Sequence, residues 1–183
     1  MLDRTFSRRD LLVLMGMANV AQSALADLYD DYLNSPSKKP FVAFLARGGV
    51  PGHAFVGLGV SLEAGLRVYE RFYGYYPAAD DKAEVKKLVF GKTSGAIDHK
   101  WKDTSWEVSF IVAIDNKARA AVVSVLDRWK VDDPKYNLFA SGGKNCSSLA
   151  GEVATAAGLK APSGAGSMLP VDYIRKLKAA NGK

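Results

Sequence analysis

Cys146 is the single cysteine in 183 residues, and it stands in the segment YNLFASGGKNCSSLAGEV, residues 136 to 153. A glycine-rich turn leads into it and a helix begins at it. Thiol chemistry needs a thiolate, a base to form it and donors for an oxyanion. A helix N-terminus supplies a positive dipole end and backbone N–H groups without intrahelical acceptors. Gly142 and Gly143 carry no side chain, so the backbone can crowd a reacting centre there. The segment is not a phosphate-binding loop, because Lys144 stands two residues before the cysteine and the spacing fails. Lys144 reads as a solvated loop lysine, with added positive potential at the thiol as its other use.

The base comes from one of two histidines, His53 or His99. His53 opens a strand directly after the flexible GGVPG, from where its imidazole would point across the sheet edge to the cysteine helix. His99 lies in the polar stretch AIDHKW, with no element to hold it, so rigidity favours His53. A third group orients such an imidazole in thiol and serine hydrolases. In the strand LRVYERFYGYY, alternation sets Leu66, Val68, Glu70 and Phe72 on one face. Glu70 is the anomalous member of that apolar face, and a buried carboxylate needs a partner. His53 on the neighbouring strand would serve, and so would an arginine in a cross-strand salt bridge.

The length and a hydrophobic fraction of 48% fit one globular domain with a core. The formal charge of +6 is scattered through the chain and suits an anionic surface such as cell wall or lipid headgroups. Zinc-finger spacing, an aromatic–basic RNA signature and a helix-turn-helix are all missing, so nucleic acid is not an expected partner. One cysteine forms no intramolecular disulfide, and with two histidines it makes a poor pool of metal ligands.

Residues 1 to 26 read as an export signal. Arg8 and Arg9 precede an apolar stretch over residues 11 to 21, and Ala24-Leu25-Ala26 has the small-x-small form of a cleavage site. SRRDLL resembles a twin-arginine signal, which implies a periplasmic protein. Three arginines against two aspartates give this segment +1 of the +6, leaving about +5 beyond it. In an oxidising compartment a lone thiol is a liability unless it is used.

Residues 27 to 40 read as a short helix and linker, and 41 to 183 as a single domain. Strands are expected over 41–47, 53–60, 66–76 and 106–114, where β-branched and aromatic residues concentrate. Helices are expected over 115–130, with Asp115 or Asn116 as N-cap, over 146–158 with Gly158 closing, and over 169–181 with Pro170 in the first turn. A further short helix is expected over 80–91, followed by an irregular stretch. The class is α+β, an antiparallel sheet packed with helices.

GHAFVGLGV, a following strand, a helix and then YNLFASGGKNCSSLAGEVATAAGL together resemble the circularly permuted branch of the papain-like NlpC-type hydrolases. The lecithin:retinol acyltransferase-like proteins belong to that branch. Tyr136, Asn137, Asn145, Cys146 and His53 match it in type and order, within a likeness that covers residues 41 to 178. The resemblance implies a permuted papain-like fold, a Cys-His pair with a polar third residue, a covalent acyl-enzyme on an amide or ester, and no metal or organic cofactor. Ser147 and Ser148 stand where the acyltransferase branch carries an acidic residue and an aromatic, which weighs against retinoid- or phospholipid-type acyl transfer.

The expected function is therefore a periplasmic cysteine peptidase or amidase acting on peptidoglycan peptide amides. Cys146 would be the nucleophile, His53 the base and later the acid, and Glu70 the orienting group. The backbone N–H of Cys146, with the Asn145 side chain or the Tyr136 hydroxyl, would receive the oxyanion. A thiol hydrolase or acyltransferase acting on lipid or acyl groups is the alternative, with Phe72, Tyr73, Tyr75 and Tyr76 lining an acyl groove or touching the envelope surface. The non-enzymatic alternative is a protein that binds cell wall or a partner, with Cys146 merely buried.

Overall fold

The computed structural model describes residues 37–49, 52–62, 65–77, 93–98, 105–132, 134–139 and 143–182. The signal segment, most of the linker, the helix expected over 80–91, and His99 lie outside these residues. Five strands form one antiparallel sheet: β1 (Lys39–Arg47), β2 (His53–Ser61), β3 (Arg67–Pro77), β4 (Gly95–Asp98) and β5 (Val108–Ala113). Their order is β4-β3-β2-β1-β5, so the first three strands form a meander and β5 returns to its far edge beside β1.

Three helices follow in sequence, α1 (Asn116–Asp132), α2 (Cys146–Ala156) and α3 (Pro170–Ala180). Asp115 is the N-cap of α1, its carboxylate accepting from the Ala118 N–H at 2.7 Å. Val122, Leu126 and Trp129, at helical spacing, make the buried stripe of α1. Pro170 opens α3, where a missing N–H costs nothing. Gly158, at φ 77°, ends the turn after α2 in a left-handed conformation.

All three helices lie on one face of the sheet. Val42, Phe44, Ala54, Val56, Tyr73, Tyr75 and Phe110 project from the strands into the core they share with Leu149, Val153, Tyr173, Ile174 and Leu177. The helix α2 crosses β2 and β3, with α1 and α3 on either side and α3 over β1 and β5. Burial of α2 on nearly every side explains its composition of small and apolar residues, CSSLAGEVATA. The opposite face of the sheet carries Phe41, Ala43, Leu45, Phe55 and Phe72, which are buried as well. Strands buried on both faces read as continuous apolar runs, which is why FVAFLA shows no alternation.

Two features differ from the sequence expectation. The strand β4 pairs with Gly74 to Pro77 of β3 in a stretch expected to be irregular. In β3 the alternation breaks at Glu70: Tyr69 lies opposite Gly59 and Arg71 opposite Leu58, so Glu70 is the extra residue of a bulge. Tyr69 and Phe72 consequently stack on the same face, centroids 5.0 Å apart.

Candidate active site

Cys146 is the first residue of α2, and the cap before it decides which donors face its sulfur. The Asn145 amide oxygen accepts from the Ser148 N–H at 3.0 Å, while the Ser148 hydroxyl lies 3.2 Å from the Asn145 N–H in a reciprocal capping box. The cap therefore takes the third N–H of the helix and leaves those of Cys146 and Ser147 facing the thiol. From the sheet, the Ala54 N–H donates to Cys146 Sγ at 3.5 Å. The β2–β3 ladder ends at the Phe55–Gly74 pair, and it is just past that end that the sulfur meets β2. Three backbone N–H groups and the Ser147 hydroxyl thus favour the thiolate. Burial, the largest influence, outweighs them and leaves the thiol raised above its ordinary value. Cys146 is protonated at neutral pH until something takes its proton.

Tyr136 reaches the same place from the loop before α2. It is held as a short bridge between Thr93 and Lys144, exchanging backbone hydrogen bonds with Thr93 at 2.7 and 3.0 Å. Gly143 permits this packing, because a Cβ there would stand 2.8 Å from the Lys135 carbonyl oxygen. Burial, then the nearby Cys146 and Tyr75, push the Tyr136 phenol far above its ordinary range. It stays a neutral O–H donor beside the sulfur, which is the form an oxyanion requires.

His53 precedes the Ala54 amide that holds the sulfur. With Sγ 3.5 Å from Ala54 N and the intervening bonds each about 1.3–1.5 Å, the His53 Cα lies no more than about 6 Å from the sulfur. Its imidazole was expected to point across to the helix. The ring instead stacks on Tyr76, centroids 4.4 Å apart and planes 27° apart, and lies parallel to Phe55 at 6.0 Å. Gly74 forms the floor: a Cβ there would be 2.7 Å from His53 Nε2 and 2.6 Å from the Tyr76 hydroxyl oxygen. The two polar atoms therefore converge above one residue that has no side chain.

Three roles need correction. Glu70 does not approach His53: it forms an ion pair with Arg119 of α1. The β2–β3 register puts it level with Leu58 and Gly59, five or six residues along the strand from His53. Asn145 does not aim its amide at a reacting centre, since its oxygen caps α2 and its nitrogen donates to the Leu138 carbonyl at 2.9 Å. Lys144 keeps the solvent exposure expected of a loop lysine, its side chain 42% exposed, but its charge is not held at the thiol. It is paired with Glu152, which also receives Arg128 at 2.7 Å and Trp129 Nε1 at 2.9 Å. These donors offset the desolvation of Glu152 and lower its pKa. The group ties the loop before α2 to α1 and α2.

Two residues were not placed at the Cys146–His53 site from sequence, Tyr76 having been considered only for an acyl groove. Ser147 is fully buried beside the sulfur, and Tyr76 stacks on the imidazole. Helical spacing alone would have left Ser147 on either side of α2, but a helix dominated by small and apolar residues was a signal of extensive burial. Of the four aromatics considered for an acyl groove, Tyr73 and Tyr75 face the helices and Phe72 the other side, all three buried in the core, while Tyr76 is half-buried against His53. Among the described residues no cluster of three His, Cys, Asp or Glu side chains is placed to hold a metal ion.

Comparison of the chain with protein-family models, with curated proteins and with solved structures found no match in any of the three.

Proposed function

We propose that this protein is a cysteine hydrolase, a peptidase or amidase, of the permuted papain-like type, with Cys146 as nucleophile and His53 as base. The observation that carries the reading is the Ala54–Cys146 hydrogen bond. It docks the start of α2 against Ala54, the residue that follows His53, and so sets the sulfur beside the backbone of the strand that carries the histidine, two segments 92 residues apart in the chain. His53 takes the thiol proton as sulfur attacks the substrate carbonyl carbon. The tetrahedral oxyanion is received by the N–H groups of Cys146 and Ser147 and by the neutral Tyr136 hydroxyl. The imidazolium then protonates the leaving amine, and the C–N bond breaks to leave a thioester. Water, deprotonated by His53, attacks that thioester, releasing the acid and returning the proton to the thiol. Because burial keeps Cys146 protonated, proton removal accompanies attack rather than preceding it.

The substrate class is a peptide amide of the bacterial cell wall. This rests on the twin-arginine-like segment of residues 1 to 26, on the net positive charge and on the resemblance of the His53 and Tyr136-to-Cys146 segments. The Gly74 floor and the Tyr76 ring take over the orienting task that alternation had assigned to Glu70. The competing reading is a binding protein whose cysteine is only core, and the burial of Cys146 favours it.

Purified protein incubated with muropeptides, beside Cys146→Ala, separates the two. Cleavage that is lost in the variant supports the hydrolase. Cleavage that survives the substitution removes Cys146 from the mechanism. A thiol inert to iodoacetamide in the folded protein, with no cleavage, supports the binding role.

A further inference from the structure

Ser147 occupies the second position of α2, where its side chain is fully buried between helix and sheet. Its Oγ has no hydrogen-bond partner among the described residues. A buried hydroxyl without a partner costs stability, and alanine has the better helix propensity. On packing grounds alone, then, alanine would suit this position better. The hydroxyl has a use only if an acceptor forms beside it in some state of the protein.

The neighbouring acceptor is Cys146 Sγ. A neutral thiol accepts weakly, whereas a thiolate is a strong, charged acceptor. The other donors around the sulfur, the N–H groups of Ala54, Cys146 and Ser147, are backbone groups fixed in direction. Of the groups that favour the anion, the Ser147 hydroxyl is the one that can rotate; the Tyr136 hydroxyl, also near the sulfur, is not among them.

We propose that Ser147 is the adjustable donor of the site, its hydroxyl turning to the sulfur when the Cys146 proton leaves and turning away once the sulfur is acylated. The proposal rests on reading Cys146 as the nucleophile. It assigns Ser147 a positioning role: it supports the charged sulfur and takes part in no bond made or broken. The direction of its influence on the thiol, toward the anion, agrees with the geometry.

The test uses the full chain and the pH dependence of iodoacetamide alkylation at Cys146, followed by mass spectrometry, for wild type, Ser147→Ala and Ser147→Thr. Ser147→Ala is expected to move the apparent thiol pKa up by about one unit, which slows alkylation about tenfold below that pKa. Its melting temperature should equal or exceed that of wild type, because the unpartnered hydroxyl is gone. Ser147→Thr keeps the hydroxyl and should restore the wild-type profile. Superposable profiles for wild type and Ser147→Ala would overturn the proposal. So would a slowed Ser147→Ala whose melting temperature also falls and which Ser147→Thr does not restore, since that marks a packing role. Failure of the wild type to cleave muropeptides would overturn the hydrolase reading alone, because the alkylation comparison needs no substrate.

Discussion

Replacing Gly74 by alanine tests the link between His53 and Cys146 without touching either residue. Gly74 is not one of the positive-φ glycines, so alanine meets no backbone strain in β3. Its Cβ would stand 2.7 Å from His53 Nε2 and 2.5 Å from Tyr76 Cε2. Comfortable separations begin near 3.5 Å, so the two rings must retreat by roughly 0.8 to 1 Å. A displacement of about 1 Å in a catalytic group can cost on the order of 100-fold in rate. The expected loss is therefore about 10- to 100-fold in muropeptide cleavage and in neutral-pH alkylation of Cys146, equivalent to ~1.4–2.7 kcal/mol. Overpacking also lowers stability by about 1–3 kcal/mol, so rates are compared well below the melting transition. The decisive measurement is a double-mutant cycle on alkylation rate with His53→Ala. If Gly74 acts through the imidazole, its kinetic penalty disappears once the imidazole is gone. A folded Gly74→Ala protein with the wild-type rate and pH profile, or a penalty undiminished in the His53→Ala background, would refute the reasoning.

Asn145→Ala removes the cap of α2 and the bond to Leu138, and should lower stability by about 1–2 kcal/mol in urea unfolding. Asn145→Ser, which can still cap, should recover most of that loss. Glu70→Gln weakens the pair with Arg119 and should leave the alkylation profile of Cys146 unchanged; a shifted profile would restore Glu70 to the site. Cys146, Tyr136, Tyr69 and Tyr173 all hold their protons more tightly when folded, burial being the largest cause in each. The unfolded chain ionises first, near pH 8.5 for cysteine and about 10 for tyrosine, so stability falls as pH rises past those values. Tyr136→Phe should flatten the fall of the urea midpoint above about pH 10.

Most of the fold was legible in local pattern. The strands β1, β2, β3 and β5 and all three helices lie within about two residues of where composition, caps and glycines put them. The strand β4 was not legible, because GAID is four residues long and includes Gly and Asp, both depleted in strands. Its strand character comes from pairing with β3, a non-local fact. The bulge at Glu70 was hidden for a related reason. No glycine or proline marks it, so alternation carried straight through and put Glu70 on Phe72's face. Asn145 was a matter of weighing: an asparagine directly before a helix is a cap by position, and the cap claims the amide first. The positions of Cys146 at the helix start and of His53 at the strand start were readable, whereas the contact with Ala54 was not. The side to which the imidazole turns depends on Tyr76 and Gly74, two strand partners that no local signal connects.

The Ala54–Cys146 bond also says something about the order of folding. The β1–β2–β3 meander closes through short connections, whereas that bond spans 92 residues. Loop-closure entropy delays contacts of such separation, and β5, α1 and the Tyr136 loop all come between. A chain that has formed only its meander would hold His53 already in its strand and have no sulfur near it. Protection of the Cys146 thiol in a refolding experiment should accordingly appear with the last phase, so this single residue serves as a built-in reporter of complete folding.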